Sequence, residues 1–181
     1  MLTVGIDPGH GMSNRTWGVY DPGAVRGEWQ EAHIALAVAM DLRDQCWRRG
    51  WKAFMTRVTN AEAAPLRERV PRARSAQCDC LISLHCNAHA GEHAHGTETL
   101  YRASEGFAAE VQRRLVGAMG TADRGIKRRD DLAVLSYERP TVLVELAFIS
   151  NDADRDKLTD PARQLAAAMA IAEAINEAAV L

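Results

Sequence analysis

The stretch "LTVGIDPGHG", residues 2–11, sets how the rest of the chain is read. A short apolar run, Leu2 to Ile6, passes directly into Asp7, Pro8, Gly9, His10 and Gly11. A run this brief, closed by glycine and proline, reads as a buried strand. The histidine beyond it belongs either to a tight turn or to a metal site held at the mouth of a sheet. The local sequence leaves both readings open.

The same construction recurs along the chain. "CLISLHCNA", residues 80–88, ends its apolar run on His85, and "TVLVELAFISN", residues 141–151, carries Glu145. Strands are predicted at Leu2–Ile6, Lys52–Arg57, Cys80–His85, Thr97–Tyr101, roughly Leu132–Ser136, and Thr141–Glu145. Helices are predicted between them. The first follows Glu28, has Ile34, Leu36, Val38, Met40, Leu42 and Cys46 on its apolar side, and closes at Gly50. The second covers about Pro65 to Gln77, with a kink or break at Pro71. The third runs from about Ser104 to Met119. The last starts at Pro161 behind Asp160 as N-cap and continues to about Ala178. Alternation of this kind predicts an α/β fold: one domain over residues 1–181, with a largely parallel, twisted six-stranded sheet and helices on both faces. No repeat or linker divides it.

Composition narrows the function. With 181 residues the chain can bury a full core without staples. A net charge of −2 argues against a nucleic-acid partner. Two local basic clusters, Arg67–Arg74 and Arg124–Arg129, read as a solvated helix face and a solvated loop. No apolar run is long enough to insert in a membrane. No signal peptide is visible, so synthesis in the cytoplasm is expected. Cys46, Cys78, Cys80 and Cys86 do not form a disulfide framework and are expected to be free thiols.

In open α/β sheets, ligands bind beyond the carboxyl ends of the strands. His10, His85 and Glu145 are delivered to that edge by three different strands. Three unrelated structural reasons would be needed to put them there otherwise. Glu28 and Glu31 compete as a fourth member. Both are placed in the first turn of the first helix, where the dipole favours any carboxylate, and position alone does not choose. "HAGEHAH", residues 89–95, also offers three histidines, but a loop without a strand end would orient them poorly. Cys80 and Cys86 differ in parity from His85 and should point to the opposite face, as small buried residues.

The sequence resembles the zinc-dependent N-acetylmuramoyl-L-alanine amidases of the Amidase_3 type. The resemblance is carried by "GIDPGHG" at 5–11, "DPGA" at 21–24, "TR" at 56–57 and "LRER" at 66–69. It continues through "LISLHCNA" at 81–88, "GTETLY" at 96–101, "RGIK" at 124–127 and "VLVELAFISN" at 142–151. It implies a phosphorylase/hydrolase-like fold and one Zn2+ per chain, bound by His10, Glu31 and His85, with Glu145 as the catalytic acid–base. The family's glutamate follows "GA" and opens the helix, which favours Glu31 over Glu28. Glu98 is a candidate for orienting a histidine ligand, with Asn87 and Asp7 as weaker ones. Met12 stands where a glycine is usual and Ala147 where glycine is frequent; both concern loop shape rather than chemistry.

The implied substrate is peptidoglycan, cut between the lactyl group of N-acetylmuramic acid and L-alanine. Without a visible leader or wall-binding module, the expectation is a monomeric phage or prophage endolysin that reaches the wall through a separate membrane pore protein. An exported bacterial amidase, a zinc peptidase acting within the stem peptide, and a degenerate wall-binding module are the alternatives. Residues 106–120 read as an ordinary core helix rather than as a plug over the site.

Overall fold

The computed structural model describes residues 1–178. Its strands, in chain order, are β1 (Thr3–Pro8), β2 (Gly11–Met12), β3 (Tyr20–Asp21), β4 (Val25–Arg26), β5 (Trp29–Gln30), β6 (Lys52–Met55), β7 (Cys80–Asn87), β8 (Thr97–Tyr101), β9 (Asp123–Arg128) and β10 (Thr141–Phe148). The helices are α1 (Glu31–Arg48), α2 (Leu66–Ser75), α3 (Glu105–Met119), α4 (Asp152–Thr159) and α5 (Pro161–Ala178). Among the described residues, six strands form the central sheet in the order β6-β1-β7-β10-β8-β9. β6, β1, β7 and β10 run parallel; β8 is antiparallel to β10, and β9 is parallel to β8.

Strand parity sorts the two faces. Val4, Ile6, Cys80, Ile82, Leu84, Cys86, Val142, Val144 and Leu146 face the main core, where α1, α3 and α5 pack. The other face is thinner. Leu81, Leu100 and Leu143 meet Val70 and Ala73 of α2 and the segment around Val134 to Tyr137. Helices therefore cover both faces, with α4 joining the main core through Leu158 and α2 alone on the thin face. All four cysteines are buried and unpaired, and Cys80 and Cys86 lie on the opposite side from His85, as parity requires.

Four sequence expectations are corrected. Leu132–Ser136 is not a strand; Ala133–Ser136 forms one 3-10 turn whose Val134 and Leu135 plug the thin face. The sixth strand is instead β9, inside the basic stretch read as a solvated loop. It is an edge strand bonded only to β8, and its Arg and Lys side chains at the surface hide the pattern. α2 is not broken at Pro71. The N–H that Pro71 lacks would have met the carbonyl of Arg67, which sits in the exposed first turn. Helix α4, polar and short, was not anticipated; Asn151 caps it by accepting from the Asp154 amide at 3.1 Å.

Candidate metal centre

β1 ends at Pro8, and the chain then turns so sharply that His10 takes φ 59°, a left-handed conformation rare outside glycine. Two arginines hold it there. Arg57 donates from Nε to the Pro8 carbonyl at 3.0 Å and from Nη2 to the Gly9 carbonyl at 2.7 Å. Arg69 donates to the Pro8 carbonyl at 2.8 Å and the His10 carbonyl at 2.7 Å. Both side chains are fully buried. Arg57 Nη2 also reaches the Ala32 carbonyl at 2.8 Å, which ties the turn to the first turn of α1. Burial, with repulsion from Arg69, lowers the Arg57 pKa to about 10, so it remains cationic at neutral pH.

Asp7 supplies one counter-charge to the two cations, with Arg69 Nη1 2.6 Å from its Oδ1. Thr56 and Ser83 hydroxyls donate to the same carboxylate at 2.6 and 2.7 Å. Burial would raise its pKa, but Arg69 and the two hydroxyls hold it below the ordinary value. Asp7 is thus an anchor for the arginines, and its hydrogen bonds go to no histidine. The reading of Arg67–Arg74 as wholly solvated fails at Arg69. "TR" and "LRER" carried the signal, but nothing in the spacing says which arginine turns inward.

Glu31 opens α1. Its amide donates to the Ala24 carbonyl at 2.9 Å and that of Ala32 to the Pro22 carbonyl at 3.0 Å, so "DPGA" wraps the helix start. A Cβ on Gly23 would lie 2.5 Å from Glu31 Oε2 and 2.7 Å from the His10 ring, which only glycine avoids. The Glu31 carboxylate accepts from the amides of Ala24 at 2.9 Å and Cys86 at 3.0 Å. Its Oε1 lies 3.1 Å from His10 Nε2 and 2.8 Å from His85 Nδ1. Burial alone would raise its pKa; the bonds to His10 and His85 bring it well below the ordinary value. Glu28, the rival, is not in the helix. It occupies the exposed turn after Gly27 that joins β4 to β5.

One donor atom from each of His10, Glu31 and His85 lies within 4.8 Å of the others, and this is the group of metal-capable side chains that converges among the described residues. Two imidazoles and a carboxylate suit a catalytic zinc site that keeps a position open for water. The other ring nitrogen of His10, Nδ1, is 3.1 Å from Asp21 Oδ2. Such an outer carboxylate orients a histidine ligand and fixes its tautomer. Sequence reasoning missed Asp21, although "DPGA" begins with it.

Glu145 sits on β10 in register with His85 on one side and Glu98 on the other. Burial first, and then the nearby Glu31 and Glu98 charges, push its carboxyl up to about 7 against the pull of His85 and His10. No hydrogen-bond donor is among these influences. Because β8 runs antiparallel, Glu98 near its start reaches the same edge as the carboxyl ends of β7 and β10. Glu98 does not orient a histidine ligand. It accepts from Asn87 Nδ2 at 3.0 Å and Arg124 Nε at 2.9 Å, and pairs with Lys127. These cations hold it ionised, below its ordinary value, against burial. His89, His93 and His95 stay on an exposed loop away from the cluster. α3 packs Phe107, Val111, Leu115 and Met119 into the core and covers no part of the site.

Residues 4–177 match the family described as N-acetylmuramoyl-L-alanine amidase, Amidase_3. The chain belongs to this family. It is 34% identical to the N-acetylmuramoyl-L-alanine amidase LytC of Bacillus subtilis over 93% of its own length, and spans about a third (34%) of that relative. It superposes on the catalytic domain of CwlV, an N-acetylmuramoyl-L-alanine amidase from Bacillus (Paenibacillus) polymyxa var. colistinus, with a TM-score of 0.90 at 29% identity, covering 99% of each chain. The catalytic domain of the CD27L endolysin targeting Clostridia difficile gives a TM-score of 0.78 at 26% identity, with 98% of each chain covered. Family amidases are metal-dependent, and the clustered His10, Glu31 and His85 are a site of the kind they require.

Proposed function

We propose that this chain is a zinc-dependent peptidoglycan amidase that cuts between the lactyl group of N-acetylmuramic acid and the L-alanine of the stem peptide. The observation that carries it is the convergence of His10, Glu31 and His85 on one point, with Glu145 beside them in register. In this reading His10, Glu31 and His85 would hold the ion. When bound, zinc supplies a Lewis acid that polarises the scissile carbonyl and acidifies the attacking water. Glu145 takes the proton from that water and returns it to the leaving alanine nitrogen as the C–N bond breaks. Asp21 keeps the His10 ring aimed, and Arg57 and Arg69 keep its backbone in place.

All four of these acid and imidazole groups come from one chain, so the proposed site is complete without a partner copy, which supports a monomer as the acting unit. A lysin role, with release to the wall by a separate pore protein, is a reading that the CD27L likeness supports, though that likeness is weaker than the one to the CwlV catalytic domain. Mass spectrometry of muropeptides digested with the purified chain tests the reaction. Newly freed N-terminal L-alanine with intact glycan is expected, together with one zinc per chain by metal analysis. Cleavage within the stem peptide would replace the amidase by a peptidase, and no cleavage at all would leave a wall-binding module.

A further inference from the structure

Beside the metal centre lies a trough that the proposed chemistry does not use. It encloses about 420 Å3 and is lined by Ser13, Trp17, Pro65 and Arg67. It shares Asn14, Arg15, Leu66 and Ala133 with a second cavity of about 400 Å3 that reaches His10 and His85. The shared residues set the two cavities side by side between the candidate catalytic centre and the indole of Trp17. That indole is 71% exposed, in a chain with only four tryptophans, and Leu66 beside it is 43% exposed.

The loop that presents Trp17 is tied down rather than loose. The Ser13 amide donates to the Val19 carbonyl at 2.9 Å and the Val19 amide to the Thr16 carbonyl at 3.1 Å. The Gly18 amide donates to Ser13 Oγ at 2.9 Å. Asn14 is fixed between Asp21, at 2.7 Å, and Arg69, at 3.1 Å. An aromatic face held in water on a bonded loop, next to a reactive centre, is a binding surface prepared in advance.

We infer that this trough takes the glycan end of the substrate, with a pyranose ring stacked on Trp17. The inference rests on the amidase reading and adds a direction to it. The bond to be cut joins two unlike halves. The sugar half is uncharged around its ring, with an apolar C–H face and hydroxyl and acetamido groups at its edge. The peptide half carries carboxylates. The trough matches the first: an indole and Leu66 for the ring face, and Asn14, Arg15 and Arg67 for the polar edge. On the other side of Glu145, Asn87, Arg124 and Phe148 line a separate cavity of about 430 Å3, with Lys127 close by on Glu98. Arg124 and Lys127 are both paired with Glu98 there, so charge does not choose between the sides; the exposed indole and Leu66, which match the apolar ring face, assign the glycan to the Trp17 side.

The test uses the β-1,4-linked tetramer of N-acetylglucosamine, which has the glycan's faces and no scissile amide. NMR follows the tryptophan indole N–H signals, with the Trp17 signal assigned by its loss in Trp17→Phe. A saturable shift of the Trp17 signal is expected. Trp17→Ala should weaken tetramer binding about five- to tenfold, the size of one stacked aromatic ring, and Trp17→Phe by less. On peptidoglycan, Trp17→Ala should raise KM by a similar factor while kcat changes much less. An unshifted Trp17 signal, or a Trp17→Ala enzyme with the KM of the parent, overturns the inference. If the parent protein frees alanine but Trp17 ignores the tetramer, the glycan assignment alone fails. If Trp17 binds the tetramer and no alanine is freed, the amidase reading fails and the sugar site stands.

Discussion

Pro8–His10 and His89–His95 both set histidine beside glycine, and they are built in opposite ways. In the first, every carbonyl from Pro8 to His10 accepts from a buried guanidinium, and the ring is aimed by Asp21. In the second, the rings turn back on their own loop. His89 Nδ1 accepts from the Gly91 amide at 2.9 Å, and His95 Nδ1 lies 2.8 Å from the His93 carbonyl. The loop is moored by exposed groups: the His89 amide on Ser150 Oγ, Asn151 on the Glu92 carbonyl, the Arg26–Glu92 ion pair, and Arg124 on the His95 carbonyl. A histidine becomes a competent ligand when the backbone beneath it has nowhere else to go. Local histidine count carries little of that information.

The contrast breaks most severely at Glu31. Glu31→Ala should lose the metal and activity together, whereas Glu28→Ala should keep both; bound zinc and alanine release measured on the two variants decide it. The reverse pattern would overturn the ligand assignment. Next comes Glu145→Gln, which keeps the size of the strand-end side chain but cannot accept a proton. It should retain its zinc and fall in rate by about 10²–10⁴-fold, or about 3–5 kcal/mol of barrier. A variant that is metal-replete and fully active would remove Glu145 from the chemistry.

The splint itself is tested through Asp7. Asp7→Ala leaves Arg69 buried without its counter-charge and should destabilise the fold by about 3–5 kcal/mol in chemical denaturation. The acid dependence has a definite sign. The folded pKa of Asp7 lies below its ordinary 3.8, so its contribution is complete above that value and is lost as pH falls through the folded value. Between pH 5 and pH 2 the parent should therefore lose more stability than Asp7→Asn, which has no carboxyl to protonate. Equal losses would show that Asp7 is not the titrating anchor. The smallest effect belongs to the loop. Replacing His89, His93 and His95 together by alanine should leave zinc stoichiometry unchanged and shift stability by less than about 0.5 kcal/mol. Loss of the metal would mean that the loop, too, organises the site.

What could be read in the sequence follows the same division. His10, His85 and Glu145 were legible in position because each lies within three residues of the carboxyl end of an apolar strand, and strand ends share an edge in this class of fold. The rest was hidden by side chains that act against type. Arg57 and Arg69 look like surface residues, and only the carbonyls they meet draw them inside. β9 is written almost entirely in polar residues because it is an edge strand bonded to β8 alone, with Ile126 as its one apolar residue packed against the core. Val134 and Leu135 imitate a strand because a 3-10 turn can also bury two adjacent apolar side chains. Asp21 lies 11 residues from His10, across a loop whose closure nothing in the spacing announces.

The four buried cysteines have a consequence for where such a protein can work. Burial pushes the thiol of Cys46 up to about 12 and that of Cys78 up to about 11, and it raises Cys80 and Cys86 as well. At neutral pH almost no thiolate exists to attack a disulfide or to be captured by an oxidant. The fold asks for no cross-link and offers none. It is redox-neutral, able to keep one structure in a reducing compartment and in the oxidising surroundings of a cell wall without a chaperone for its sulfur.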